Sequence, residues 1–239
     1  MGRDHRVFRM TTPPISRRSV FEAALESACA SLSITLTAGQ IDKFWSHFER
    51  VLEANARFNL TRITDAADAA VRHYADSLSL LTWPPARGPD IRRVLDVGTG
   101  AGYPAVPLAI VRPDWQVIAV DSTGKKVDFV AAAAEQLSLS SLNVRKHRAG
   151  ERLPDEEPVD LVLFRAVAKL TDCLKNVQDL VRRGGVVVCY KSADLPPAEW
   201  SAAQRFLTKG SYTLSAQVPV LLHGAGKTLR RQLVCYRRA

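Results

Sequence analysis

The sequence has 239 residues, of which 46% are hydrophobic and 24% charged, enough for one Rossmann-sized domain with a buried core and a small extension. Its formal net charge of +9, from 33 lysines and arginines against 24 acidic residues, favours a polyanionic partner such as nucleic acid. No apolar run is long enough to span a membrane, and the basic N-terminus lacks the apolar stretch of a secretory signal.

Four cysteines are spread along the chain, and none forms a C-x-x-C pair or a cluster with histidines. They are Cys29, Cys173, Cys189 and Cys235. This spacing argues against a disulfide framework and predicts no metal site. We therefore expect buried, reduced thiols in a cytoplasmic protein.

The N-terminal third of the chain carries a basic tail followed by helices. Residues 1–16 are rich in arginine and interrupted by prolines, which predicts a disordered tail, either solvated or in contact with phosphates. Apolar residues with a helical period then predict a helical extension over residues 17–90. Three helices are expected in it. The first begins near Ser19, the second follows the N-cap Thr37, and the third spans about Ala66 to Leu81.

From residue 91 to residue 239, short apolar runs alternate with helical stretches, which indicates βαβ units and a parallel sheet. The predicted strands are 94–97, 117–120, 142–144, 159–163 and 186–190. The predicted helices are 104–111, 125–137, 170–182 and 197–207. The strand-like runs 212–222 and 229–236 have only a glycine-containing loop between them, which predicts an antiparallel hairpin at the sheet edge.

A glycine-rich loop follows the first predicted strand, with Gly98, Gly100 and Gly102 preceded by the acid Asp96. Glycines let the backbone turn sharply and approach a ligand, and the next helix then points its N-terminus at the site. The dinucleotide fingerprint G-x-G-x-x-G would need a glycine where Tyr103 stands. The G-x-G-x-G spacing is instead that of S-adenosylmethionine sites, with nicotinamide dinucleotide binding as the alternative.

Asp121 ends the second predicted strand, 19 residues beyond Gly102. A carboxylate at this position can accept both ribose hydroxyls of a nucleoside ligand. It can also serve as an N-cap for the helix predicted to start at Lys125, and the two roles are compatible.

Six short motifs in order resemble the RsmG (GidB) family of ribosomal RNA guanine-N7 methyltransferases, over about residues 20–235. These motifs are FNLT at 58–61, RHYADS at 72–77, DVGTGAGYPAVP at 96–107, DSTGKK at 121–126, RAVAKL at 165–170 and YKS at 190–192. The resemblance implies a class I methyltransferase fold: a Rossmann-like α/β sheet, mostly parallel, with an antiparallel C-terminal hairpin and the helical extension in front. It also implies S-adenosyl-L-methionine as the cofactor.

The resemblance implies roles for eight cofactor-contacting residues. They are Gly98 and Tyr103 on the methionine side, Asp121, Ser122 and Thr123 at the ribose, Ala149 and Gly150 at the adenine, and Arg165 at the mouth of the site. The adenine side departs from the family pattern, because the family has an acid where Gly150 stands. Glu151, one position later, is the alternative partner.

The resemblance implies that the substrate is a guanine in 16S (small-subunit) ribosomal RNA or in a ribosomal particle. We expect the enzyme to be a monomer. Guanine N7 carries a free lone pair and no proton, so we expect no general base and no catalytic side chain; the rate comes from positioning. Substrate-binding candidates are Arg72, His73, Lys125, Lys126 and Lys191. Structural roles compete with these: Arg72 can pair with Asp76 along a helix, His73 can be a satisfied helix residue, and Lys125 and Lys126 can be a solvated helix start.

Other functional classes remain open on the residues alone. They are a methyltransferase acting on a small molecule or a protein, a nicotinamide-dependent oxidoreductase, and an RNA-binding module that kept the fold without activity. The basic composition disfavours a small-molecule substrate.

Overall fold

The computed structural model describes residues 16–148, 151, 157–166, 168–208, 210–224 and 226–239. Residues 1–15 of the expected tail lie outside the described residues, as does the adenine-side pair Ala149 and Gly150. The described part of the chain consists of N-terminal helices followed by a seven-stranded sheet with further helices.

The first two helices, α1 (Arg17–Ser31) and α2 (Ala38–Asn55), both begin at side-chain caps. The Ser16 hydroxyl accepts the Ser19 N–H at 3.0 Å. Thr37 and Gln40 form a capping box, in which each side chain accepts the backbone N–H of the other residue. Caps of this kind stabilise a helix by about 1 kcal/mol. The N-cap predicted at Thr37 is confirmed, whereas α1 begins slightly before Ser19.

The third helical stretch is broken, and the continuous helix predicted over 66–81 is wrong in this respect. It consists of α3 (Ala66–Ala69), a π-helix (Ala70–Ala75), α4 (Asp76–Leu78) and a 3-10 helix (Ser79–Thr82). The Ser77 and Ser79 hydroxyls donate to the carbonyls of His73 and Asp76, competing with the regular helical pattern. Because π-helical turns are frequent at functional sites, the π-helix that carries His73 is a candidate functional segment.

The sheet has the order β3-β2-β1-β4-β5-β7-β6. Its strands are β1 (Arg93–Val97), β2 (Gln116–Asp121), β3 (Leu142–Lys146), β4 (Val159–Arg165), β5 (Val181–Ser192), β6 (Tyr212–Gly224) and β7 (Lys227–Arg238). The first five strands are parallel, and β7 pairs antiparallel with both β5 and β6. The predicted fold class, a mostly parallel α/β sheet with an antiparallel C-terminal hairpin, is confirmed.

Four further helices cover the two faces of the sheet: α5 (Ala105–Val111), α6 (Gly124–Gln136), α7 (Leu170–Lys175) and α8 (Pro197–Leu207). Successive strand residues point to opposite faces. Val94 belongs to a core shared with the N-terminal helices, α5 and α6, whereas Leu95 and Val97 pack in a second core with α7 and α8. The helix predicted over 170–182 ends at Lys175, because a run of turns leads directly into the longer strand β5.

The edge strand β6 is held by β7 on one side and lies against α1. The Ser31 and Ser27 hydroxyls of α1 donate to the carbonyls of Leu221 and His223, at 3.3 and 3.5 Å. The N-terminal helices therefore contact the sheet edge as well as the shared core. The boundary expected near residue 90 between a helical extension and the sheet domain stays a prediction.

Among the described helices, none combines the length and the apolar character needed to cross a bilayer. All four cysteines are buried and free.

Candidate active site

A cavity of about 550 Å³ lies at the carboxyl ends of β1, β2 and β4. Ligands of open α/β sheets bind at this edge. They bind where the strand order changes direction, which here is between β1 and β4, since β2 and β3 lie on one side of β1 and β4 and β5 on the other. Eight of the predicted site residues line it: Gly98, Tyr103, Asp121, Ser122, Thr123, Arg165, His73 and Lys126. Leu60 and Thr61 from the loop after α2 complete one wall, so the N-terminal helices contribute to the same cavity.

The glycine loop between β1 and α5 forms one wall of the cavity by means of backbone conformations that favour glycine. Gly98, Gly100 and Gly102 have φ angles of 79°, 60° and 95°. The N–H groups of Gly98 and Thr99 donate to the carbonyl of Val120, which ties the loop to the end of β2. A Cβ on Gly102 would lie 2.6 Å from a methyl group of Val106, so this position also needs glycine for close packing.

Asp121 links this loop to the next strand. Its side chain is 6% exposed, and its two oxygens accept the N–H groups of Gly100 at 3.1 Å and Thr123 at 2.9 Å. Lys126 stands 3.8 Å from the same carboxylate. Each carboxylate oxygen has a second acceptor site, so Asp121 can hold a ligand's hydroxyls while it orients the loop. The N-cap of α6 is Thr123, whose N–H Asp121 accepts.

Asp96, the acid before the first glycine, is fully buried at the base of the loop. Burial raises the pKa of its carboxyl to about 7. One oxygen accepts the N–H of Ala105 at 3.3 Å, at the start of α5. Asp96 is absent from the residues lining the cavity. Asp96 therefore holds the end of the loop that leads into α5, away from the cavity.

A stack of two rings, His73 on Tyr103, lines the cavity, with centroids 4.5 Å apart and planes 13° apart. The Tyr103 hydroxyl donates to the Tyr74 hydroxyl at 3.1 Å, and Tyr74 is hydrogen-bonded to His47 Nδ1 at 2.9 Å. His73 Nε2 is hydrogen-bonded to the Thr61 hydroxyl at 2.9 Å. These bonds tie the cavity wall to α2 and to the loop that follows it.

Both buried histidines of this wall are uncharged at neutral pH. Burial lowers the pKa of His47 to about 3. Burial, with the nearby positive charge of Arg165, lowers the pKa of His73 to about 3. His73 therefore offers a flat neutral ring to the cavity.

Arg165, at the end of β4, is held by a buried carboxylate. Its Nε donates to Asp76 at 2.9 Å, and Arg231 on β7 donates to the other oxygen of Asp76 at 3.1 Å. Its guanidinium also donates to the carbonyl of Arg72 and stands 5.9 Å from the centre of the Tyr103 ring. Asp76 thus pairs with Arg165 and Arg231 and does not form the Arg72–Asp76 helix pair considered from the sequence.

Three predicted substrate residues lie outside this cavity. Arg72 lines a small separate cavity beside β6 and β7, and Lys125 lines a neighbouring one between α2 and α6. Lys191 donates to the Ala168 carbonyl and pairs with Glu199 at 2.8 Å. Its contacts are therefore with the loop after β4 and with α8. The roles of all three in substrate binding stay predictions.

Sequence reasoning assigned no role in this site to six residues that support or line the cavity. His47, Thr61, Tyr74 and Asp76 support the cavity wall, and His147 and Arg148 line the cavity next to the expected adenine side. A histidine on the apolar face of α2 was the one local signal for His47. Among the residues that the structure describes, no group of three or more metal-ligating side chains is present.

The family model for rRNA small subunit methyltransferase G matches residues 40–228. The chain belongs to this family. A ribosomal RNA small subunit methyltransferase G from Microcystis aeruginosa is 36% identical over 167 residues, covering 67% of this chain and 72% of that protein. A ribosomal RNA small subunit methyltransferase G from Leuconostoc citreum is 33% identical over 195 residues, which cover 80% of this chain and 78% of that protein.

Among solved structures, a SAM-dependent methyltransferase from Aquifex aeolicus superposes with a TM-score of 0.51 at 18% identity. The match covers 70% of this chain and 92% of that one, and it shows a shared fold.

The residues of the cavity fit S-adenosylmethionine, the cofactor that this family implies. The positive φ angles of the glycine loop bring bare backbone to the cavity, where a cofactor can approach it closely. Asp121 retains acceptor capacity for ribose hydroxyls one strand away. The cavity volume lies within the range of small-molecule sites.

Proposed function

We propose that this protein transfers the methyl group of S-adenosylmethionine to N7 of a guanine in small-subunit ribosomal RNA. The observation that carries the proposal is the cavity in which the glycine loop after β1 meets Asp121 at the end of β2, in a chain of this family. Guanine N7 follows from the motif resemblance, and the net charge of +9 suits an RNA partner.

When bound, S-adenosylmethionine supplies an electrophilic methyl carbon attached to a sulfonium. Guanine N7 attacks this carbon with its own lone pair, so the protein need not remove a proton. The protein's part is therefore to align the two reactants and exclude water, which can contribute up to about 7–11 kcal/mol to lowering the barrier.

Asp121, Ser122 and Thr123 are proposed to hold the ribose, and Gly98 and Tyr103 the methionine side. Arg165 is proposed to face the guanine, since its guanidinium is fixed at the cavity wall and can donate to O6. Lys126 is 34% exposed at the same mouth, where it can meet a phosphate. Ala149 and Gly150 stay the proposed adenine side.

Methylation mapping tests this function. Ribosomal RNA from a strain lacking the protein should lose one guanine-N7 methylation, and the wild-type gene should restore it. An Asp121→Ala gene expressed at the same level should restore less. Purified protein should then methylate the same base in RNA from the deleted strain. The assignment would be overturned if the RNA of the deleted strain kept all its modifications, or if it lost a modification at an atom other than N7.

The setting of the reaction is proposed as the cytoplasm, where ribosomal RNA is available and where buried free thiols persist. We propose that the protein acts as a monomer and has no membrane partner. Comparing naked RNA with assembling particles as substrates decides which form it modifies, and sedimentation of the pure protein tests its oligomeric state.

A further inference from the structure

A second cavity of about 370 Å³ lies beside the first, between the C-terminal half of α2 and the start of α6. Two short segments contribute to both cavities. Phe58 lines the second and Leu60 the first, while Lys125 lines the second and Lys126 the first. The two cavities are therefore neighbours, separated by a residue or two of each segment.

The second cavity combines two aromatic rings with positive charges. Phe58 and Phe129 line it, and both rings are partly exposed. The centroid of the Phe129 ring lies 6.1 Å from that of the His47 ring, so Phe129 packs against α2. In the described part of the chain, no aromatic ring packs against Phe58. A partly exposed aromatic ring is a platform on which a nucleobase can stack.

Three cations surround these rings: Arg50, Arg57 and Lys125. The Arg50 Nε is buried and has no hydrogen-bond partner among the described residues. Arg57 pairs with Glu53 at 3.0 Å, but both side chains are more than 70% exposed, so the pair is weak and can open. Lys125 stands in the first turn of α6, where backbone N–H groups also favour an anion.

The remaining lining acid, Asp128, adds an acceptor. A carboxylate beside these rings can accept the amino or imino protons of a base, while the cations meet the phosphate. Two acids against three cations leave the cavity with a net positive charge.

We infer that this cavity binds an unstacked nucleotide of the RNA next to the target guanine. Its base stacks on Phe58 and its phosphate meets Lys125 and Arg50. The inference rests on the proposed function, since a flanking nucleotide requires an RNA substrate. It assigns Lys125 a role apart from the cofactor cavity and gives the FNLT segment a direct contact with substrate.

The experiment measures binding of unmodified small-subunit ribosomal RNA, and of a short single-stranded oligoribonucleotide, by purified variants. Phe58→Leu removes the ring but keeps an apolar side chain, and Phe58→Trp keeps a ring. Because stacking of one base contributes about 1–3 kcal/mol, Phe58→Leu should weaken RNA binding at least about fivefold, whereas Phe58→Trp should retain it. Affinity for S-adenosylmethionine should be unchanged in both variants.

Lys125→Gln should make the negative slope of log affinity against log salt shallower by about 0.7, the loss of one single-strand phosphate contact. The matched control is Lys175→Gln on α7, an exposed lysine on the opposite face, which should leave the slope unchanged. Equal RNA affinity of the Leu and Trp variants, or equal slopes for the Lys125 and Lys175 variants, would overturn the inference. Methyl transfer by the wild-type protein, measured in parallel, tests the proposed function separately.

Discussion

Asp121 is the side chain on which cofactor binding depends most directly. It accepts two loop N–H groups and retains acceptor sites for a ligand. Asp121→Asn keeps the size but removes the charge and half of the acceptor capacity. Hydrogen bonds to charged groups contribute about 1.5–3 kcal/mol, so we expect the dissociation constant for S-adenosylmethionine to rise roughly 10- to 100-fold by calorimetry. Asp179→Asn, an exposed acid outside the cavity, is the control, and an unchanged affinity of Asp121→Asn would remove the ribose role.

His47 makes stability depend on pH. Its folded-state pKa of about 3 lies below the ordinary value of 6.5, so below pH 6.5 the unfolded chain binds a proton that the folded chain does not. The stability that neutral His47 contributes is full above pH 6.5 and is lost as the pH falls toward 3. Asp96, with its raised pKa of about 7, acts in the opposite direction, losing its contribution as the pH rises from 3.8 to 7.

Comparing wild type with His47→Gln isolates the histidine, because Asp96 is present in both. Urea unfolding at pH 7 and pH 4.5 should show a smaller loss of free energy of unfolding on acidification in the variant. Identical losses in the two proteins would mean that His47 is already protonated or exposed in the folded state.

Site residues whose role depends on their neighbours in the sequence could be predicted. Those whose role depends on a partner far along the sequence could not. Gly98, Tyr103, Asp121 and Arg165 were predicted and line one cavity. Asp76 was expected to pair along its own helix, but its partner Arg231 is 155 positions away. Sequence periodicity carries no information about such a contact. The assigned roles of these residues stay predictions until ligand binding is measured.

The glycine loop is the element on which the cavity depends. Gly102 has a φ angle of 95°, and a side chain there would meet Val106. Gly102→Val should therefore lower the free energy of unfolding by more than about 2 kcal/mol, from backbone strain and steric overlap together, and abolish cofactor binding.

Gly39, near the start of α2, is the matched control because a Cβ added there would have no atom within 4 Å. Gly39→Ala should leave stability unchanged or raise it by a few tenths of a kcal/mol. Chemical unfolding with a cofactor titration measures both effects. A Gly102→Val protein as stable as Gly39→Ala would show that the loop tolerates side chains.

Strands and helices were predicted from periodicity with the correct order and type, and the misses have local causes. The third helix was expected to be continuous, since its apolar stripe continues from Val71 to Leu81. Serine hydroxyls and a π-turn interrupt it without changing that stripe. The helix after β4 was extended too far, because apolar residues that lead into β5 also fit a helical period.

Across the whole molecule, Arg231 connects the C-terminal hairpin to the cavity through Asp76 and Arg165. Arg231→Gln should lower the free energy of unfolding by about 1.5–3 kcal/mol, the range for hydrogen bonds to a charged group. It should also raise KM for RNA, because Arg165 loses part of its support, while cofactor affinity changes little. Arg230→Gln, next to it on β7, is the control. Equal KM values for the two variants would confine Arg231 to stability.

The strand order has a consequence for synthesis of the protein. Residues of β6 leave the ribosome before those of β7, yet β6 joins the sheet only through β7. Until β7 emerges, the nascent β6 exposes both backbone edges. Among the described elements made before it, α1 makes the most extensive contact with β6, and the π-helix Ala70–Ala75 and α8 add smaller ones. The helix made first is thus placed to shield a late strand from mispairing while the translating ribosome completes its neighbour.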